Sequence, residues 1–216
     1  MLFIAFDLFY KFVNKNIISM TGETIAHNRI GGNVFGLLFM IFYQLDNTFE
    51  VFNSDQKIYI PAYNRSVYPD NCVVIGEPEM HNDEIQAVLN PALIFEIDSK
   101  LSGQYNRSGK FRMYQTLPSF KEYVLIDQET PVVDVFYKIK ENEWIMKSYI
   151  GLEAEVSLET IDCTLKIADI YKKVKEIIRL EAKQNYTEFS FASAEKKIVT
   201  SVNLGEYERQ FINNFE

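Results

Sequence analysis

The sequence predicts an α/β fold, a mixed β-sheet flanked by helices. Three observations predict it. Short apolar runs such as "CVVIG", "ALIFEI", "EYVLID", "VVDVFYKI" and "EWIMKSYI" have strand length and β-branched or aromatic content. Only a few helix-length segments interrupt them, so the strands do not alternate strictly with helices as in a wholly parallel fold. Finally, 216 residues with 47% hydrophobic, 24% charged and 14% aromatic content suffice for one domain with its own core and exclude disorder over most of the length.

Taken in order, the opening "MLFIAFDLFYKFVNKN" is apolar but lacks a basic start, carries Asp7 and shows no small-residue cleavage pattern. It is too short to span a bilayer, and the simplest expectation is a cytoplasmic protein with no membrane association. From Thr24 to Tyr43 the apolar spacing predicts a helix with Thr24 as N-cap. Gly31 and Gly32 either weaken that helix or admit another backbone closely. "FEVFNSDQKIYIPA" reads as two short strands joined at Asn53 to Gln56, with Asp55 a turn residue. The nearly continuous apolar runs "CVVIG" and "ALIFEI" read as central strands. A helix is expected from Gln104 to Leu117, then three strands, the last two forming a hairpin around Lys140 to Asn142. A further helix is expected over Ala168 to Ala182. Residues 1–182 are expected to form the domain. Beyond them, 183–216 show no sustained period and read as an appendage.

The net charge of −8 disfavours a protein that coats nucleic acid through overall positive charge, so a polyanion must be met locally. Two cysteines, Cys72 and Cys163, exclude a disulfide framework and a paired-cysteine zinc site. His27 and His81 lie in unrelated segments without ligand spacing, and a structural or surface role is expected for both.

Chemistry concentrates in the middle of the chain. Side chains alternate along a strand, so in "ALIFEID" Ala92, Ile94, Glu96 and Asp98 share one face. Two carboxylates near the end of a buried strand are costly unless a cation, a proton or hydrogen-bond donors relieve them. On the following helix, Tyr114 lies roughly 40° and Leu117 roughly 20° from Lys110 around the axis. Lys110 therefore belongs to the apolar stripe and can bring its ammonium toward Glu96, either neutralising charge or preparing catalysis. In "VYPDNCVVIG", Pro69 sets the chain into the strand and holds Asp70 at its start, where it can face Glu96. Asp70 and Glu96 could share a hard divalent cation such as Mg²⁺. Tyr105 and Tyr114 are expected in the core, with stacking on a base as the alternative.

The ordered series "YPD", "NPALIFEIDSKLS" and "RSGKFRMYQTLPSFKEYVLID", with "HNRIGGN", "VFNSDQKIYIP", "GEPE" and "LKIADIYKKV" around it, resembles the Uma two family, assigned as restriction endonucleases within the PD-(D/E)XK nuclease superfamily. The resemblance runs from about Phe12 to Val174. It implies a restriction-endonuclease-like fold and Mg²⁺- or Mn²⁺-dependent hydrolysis of DNA phosphodiesters. Asp70 and Glu96 match the metal-binding acids. The usual lysine position, two after the second acid, holds Asp98, and the lysine is supplied from the next helix as Lys110. Asp98 is open between a third metal ligand and a solvated strand-end acid. Lys100, Ser102, Arg107 and Arg112 are candidate phosphate contacts, although for Ser99 and Ser102 capping of the following turn is the favoured expectation. The chain departs from the family pattern at Asn106, where an acid is usual, and at Asn16, where a glutamate is usual; its N-terminal helix is expected to be short. These losses open the alternative of an inactive DNA-binding or protein-interaction module with the same fold. A homodimer is expected if both strands of a duplex are cut.

Overall fold

A computed structural model of the protein describes residues 9–13, 16–20, 24–45, 48–81, 86–98, 105–175 and 177. The expected appendage, 183–216, lies outside these residues.

The first element is an antiparallel hairpin, β1 (Phe9–Val13) with β2 (Asn16–Met20). The sequence assigns no element to this stretch, because a run apolar at almost every position carries neither the period of an amphipathic helix nor strand alternation. Helix α1 (Ile25–Phe42) follows as predicted, with Thr24 in extended conformation as N-cap and its Oγ1 accepting from the His27 amide at 3.1 Å. Ala26, Ile30, Val34, Leu38 and Phe42 recur every fourth residue and are all buried, which places this stripe on the sheet. Gly31 allows the close approach: a Cβ there would stand 3.4 Å from Ile97 Cδ1. The Thr24 hydroxyl also donates to Gln128 Oε1 at 3.0 Å. Thr24→Ala should therefore lower stability by about 1 kcal/mol, read as an earlier urea midpoint, while Thr24→Ser should stay near the parent.

The remaining strands are β3 (Phe49–Asn53), β4 (Ile58–Ile60), β5 (Arg65–Val67), β6 (Asn71–Ile75), β7 (Pro91–Asp98), β8 (Glu122–Asp127), β9 (Val132–Lys140), β10 (Glu143–Ile150), β11 (Glu155–Leu158) and β12 (Cys163–Lys166). Six of them form the central sheet in the order β10-β9-β8-β7-β6-β3. Only the β7–β8 pair is parallel. The sheet is mixed, as expected. The segments joined at Asn53 to Gln56 separate into different sheets: β3 pairs with β6, and β4 pairs with β5. The β9–β10 hairpin turns where expected, with Asn142 at φ 62°.

Every residue of β7 is buried, the pattern of a strand covered on both faces. On one face Leu93, Phe95 and Ile97 meet α1, together with β11, β12 and the short helix α3 (Ile167–Ile170). The helix expected over 168–182 is interrupted after Ile170, with Lys173 at φ 64°; Lys175 and Ile177 are helical again, and 178–182 lie outside the described residues. On the other face Ile94 joins Ile58, Ile60, Cys72, Val74, Met113, Tyr114, Phe120 and Tyr123. The helix expected over 104–117 is a π-helical turn, Tyr105–Lys110, that leads into α2 (Phe111–Tyr114). Rings anchor it to the sheet: Phe111 stacks on Tyr123 at 5.0 Å and meets Trp144 edge-on at 5.1 Å.

A fully buried Glu122 tethers β8 to the turn after β11. Its carboxylate accepts the Glu159 and Thr160 amides at 3.1 and 3.0 Å, so its charge is met by main-chain donors and its role is structural.

Candidate active site

The β6–β7 register pairs Asn71 with Phe95 and Cys72 with Ile94. Carried one step beyond β6, it sets Asp70 opposite Glu96. Glu96 falls on the face that packs against α2, whereas Asp70, just before β6, reaches toward the Ile97 amide and the first turn of α1. The Asp70 carboxylate is fixed there by the Ile97 amide, which donates to Oδ2 at 2.7 Å.

Glu96 is almost inaccessible, with its side chain 1% exposed. Lys110 Nζ donates to both its oxygens, at 2.8 Å to Oε1 and 2.7 Å to Oε2, and to the Tyr68 carbonyl at 3.0 Å. Tyr114, one turn on, donates its hydroxyl to Glu96 Oε1 at 3.1 Å. Lys110 and Tyr114 thus share a helix face, and the sequence-predicted reach of Lys110 to Glu96 is observed. The Lys110 stem is largely covered, at 14% side-chain exposure, with its ammonium directed inward.

Burial pushes the Glu96 carboxyl up to about 7, and the neighbouring Asp70 charge adds to that rise; Lys110 and the Tyr114 hydroxyl oppose it without cancelling it. Lys110 and Tyr114 serve Glu96, and the Ile97 amide and His27 face Asp70, so the two carboxylates are met by separate groups. Two carboxylates from adjacent strands fit a hard divalent cation, which takes one or two carboxylates and completes its shell with water and phosphate oxygens. Among the described residues no group of three or more His, Cys, Asp or Glu is placed to hold a metal ion.

Asp98 ends β7 on the same alternation and is buried at 6% exposure, not solvated as one of its two readings held. Lys100 and Ser102 lie outside the described residues, as does the side chain of Arg107; Arg107 itself lies in the π-helical turn, as does Asn106. Asn16 begins β2. Cys72 is a buried free thiol pushed up to about 12, chiefly by burial, and is inert as a nucleophile.

Sequence reasoning missed one side chain. His27, on the first turn of α1, brings Nε2 to 3.3 Å from Asp70 Oδ1, with 10% of its side chain exposed. An isolated histidine carries no spacing signal, and only the strength of the N-cap at Thr24 could have placed it at the helix start. Tyr114 was legible as a buried ring but not as a hydrogen-bond donor.

The six-stranded sheet with one parallel pair, flanked by helices, defines a mixed α/β fold. A structure described as "a putative nuclease belonging to DUF820" from Anabaena variabilis superposes with a TM-score of 0.58 at 15% identity, covering 75% of this chain and 89% of that one. Residues 6–168 match the model of the Uma2 family, described as "Putative restriction endonuclease", and the chain belongs to that family. It is similar to two uncharacterised proteins of Synechocystis sp. PCC 6803. One, sll1609, is 32% identical over 146 residues, 68% of this chain and 81% of that protein. The other, slr1290, is 27% identical over 159 residues, 74% of this chain and 75% of that protein.

Proposed function

We propose that the protein is a metal-dependent endonuclease that hydrolyses DNA phosphodiester bonds at Asp70, Glu96 and Lys110. The observation that carries this reading is the Lys110 ammonium bound to both oxygens of a buried Glu96 across from Asp70. A structural ion pair explains the lysine but leaves unexplained why a second carboxylate is fixed beside it by a main-chain amide.

A Mg²⁺ or Mn²⁺ ion held by Asp70 and Glu96 would supply Lewis-acid polarisation of the phosphate and a more acidic water. Asp70, with Oδ2 engaged by the Ile97 amide, presents a carboxylate of fixed orientation. Glu96, whose oxygens accept from Lys110, would be the second acid to hold the cation. Lys110, donating also to the Tyr68 carbonyl, is held where its ammonium can orient water and offset negative charge on the phosphate. Burial of the Lys110 and Glu96 side chains strengthens each of these electrostatic effects. In this reading Asp98 would serve as a supplementary acid, and Lys100, Ser102 and Arg107 would supply contacts to the DNA backbone. Cutting both strands requires two such sites, so the working unit is read as a homodimer acting in the cytoplasm. Among the described residues no helix is long and apolar enough to cross a membrane.

The second reading, a module that binds DNA without cutting it, draws on Asn16 and Asn106 standing where the family pattern has acids. Supercoiled plasmid separates the two. The nuclease should give nicked or linear DNA with Mg²⁺ or Mn²⁺ and none with EDTA. Retention of DNA in EDTA with no cleavage in either metal would support the second reading.

A further inference from the structure

We propose that His27 is a positioning residue for Asp70, holding its carboxylate in the orientation that binds the divalent cation; this rests on the metal site proposed above. The Asp70 carboxylate is gripped from two separate elements. From β7, the Ile97 amide takes Oδ2 at 2.7 Å. From α1, His27 Nε2 stands 3.3 Å from Oδ1, at the long end of hydrogen-bonding distance. Oδ2 accepts from the Ile97 amide and Oδ1 faces the imidazole at ion-pairing distance, so both limit how the carboxylate can turn. The lone pairs that remain are the ones available to a cation.

The imidazole lies beside, and not in, the capping and packing contacts of α1. The amide groups at the start of α1 are capped by Thr24, which accepts from the His27 main chain and not from its ring. The hydrophobic stripe of α1 runs through Ala26, Ile30 and Val34 without it. Its position is nonetheless fixed. The Thr24 hydroxyl donates to Gln128 Oε1, and the Gln128 amide donates to the Asp98 carbonyl at 3.0 Å, tying the first turn of α1 to the C-terminal ends of β7 and β8. A ring on an anchored turn, reaching an acid at the start of a strand, is how outer groups orient metal ligands. Their removal commonly costs about 10- to 100-fold in metal affinity.

The test is a Mn²⁺ titration of the full chain followed by electron paramagnetic resonance, comparing the parent with His27→Ala, His27→Gln and Asp70→Asn, alongside thermal unfolding of each without metal. Glutamine can place an amide donor near the Nε2 position. The proposal expects Asp70→Asn to lose the saturable site and His27→Ala to weaken it by about 10- to 100-fold. It also expects His27→Gln to recover most of that loss, although His27→Ala and His27→Gln unfold alike. Parent-like Mn²⁺ affinity in His27→Ala, with the site lost in Asp70→Asn, would overturn the positioning role and leave the metal site standing. Parent-like affinity in Asp70→Asn would remove the metal assignment and this proposal with it. Equal weakening in both His27 variants, matched by equal loss of metal-free stability, would reduce His27 to a packing residue.

Discussion

Glu96→Gln is expected to lower the rate of metal-dependent cleavage by at least about 10²- to 10³-fold, the loss typical when a preorganised electrostatic partner of the reacting centre is removed. The substitution keeps the shape and the Tyr114 contact but removes the charge that the cation and Lys110 both use. The same variant has a signature in stability. In the parent the folded state holds the Glu96 carboxyl at about 7, against an ordinary value of 4.5. The folded chain therefore keeps this proton in a range where the unfolded chain has released it. The group's contribution falls as pH rises above 4.5 and levels off beyond about 7. At about 1.4 kcal/mol for each tenfold change in proton affinity, the drop is on the order of 3 kcal/mol. Melting in EDTA between pH 4.5 and 8 should show this slope in the parent and lose it in Glu96→Gln. Added Mg²⁺ should raise the parent's melting temperature more at pH 8 than at pH 5.5, and leave the variant unmoved.

Lys110→Met should be the most damaging single substitution for stability within the site. It leaves the buried Glu96 carboxylate without its ammonium, and stranding one partner of a buried pair costs about 3 to 5 kcal/mol when the other stays charged. Glu96 can escape by taking a proton, so the loss should be large at pH 8 and small at pH 5.5. Combining Lys110→Met with Glu96→Gln removes the stranded charge, and the double variant should regain much of the stability lost at pH 8. Both proteins should be inactive, with the Lys110→Met rate reduced by about 10²- to 10³-fold. Urea unfolding at the two pH values measures the stability part; equal costs at both would show that Lys110 acts through packing and not through Glu96.

The site was legible in large part because its geometry is written in two short periods. Strand alternation puts Glu96 on the face of Ile94, and helical spacing puts Lys110 in line with Tyr114; both relations hold in the structure. The Pro69–Asp70 pair marks a strand start that the β6 boundary at Asn71 matches. What escaped is long-range or carried by the main chain. His27 meets Asp70, 43 residues away in the chain, only through the packing of α1 on the sheet, and no local pattern encodes that contact. The Ile97 amide and the Tyr68 carbonyl have no side-chain signature at all.

The fold follows the same division. Helix α1 was predicted nearly to the residue because a fourfold apolar repeat and an N-cap agree. The π-helical turn before α2 was not, since its residues are compatible with an ordinary helix and its widening is decided by how Phe111 and Tyr114 seat among the rings of β8, β9 and β10. The β11–β12 hairpin, built of four-residue strands, is too short to assert its own alternation and forms against the core face that α1 and α3 also cover.

The most direct measurement is single-turnover cleavage of a labelled DNA duplex in Mn²⁺ and in EDTA, by the parent and by folded Asp70→Asn, Glu96→Gln and Lys110→Ala proteins. The account predicts cleavage by the parent in Mn²⁺ alone and its loss in all three variants. Cleavage by the parent that persists in EDTA, or that the three variants retain, would contradict a metal-dependent site built from these residues.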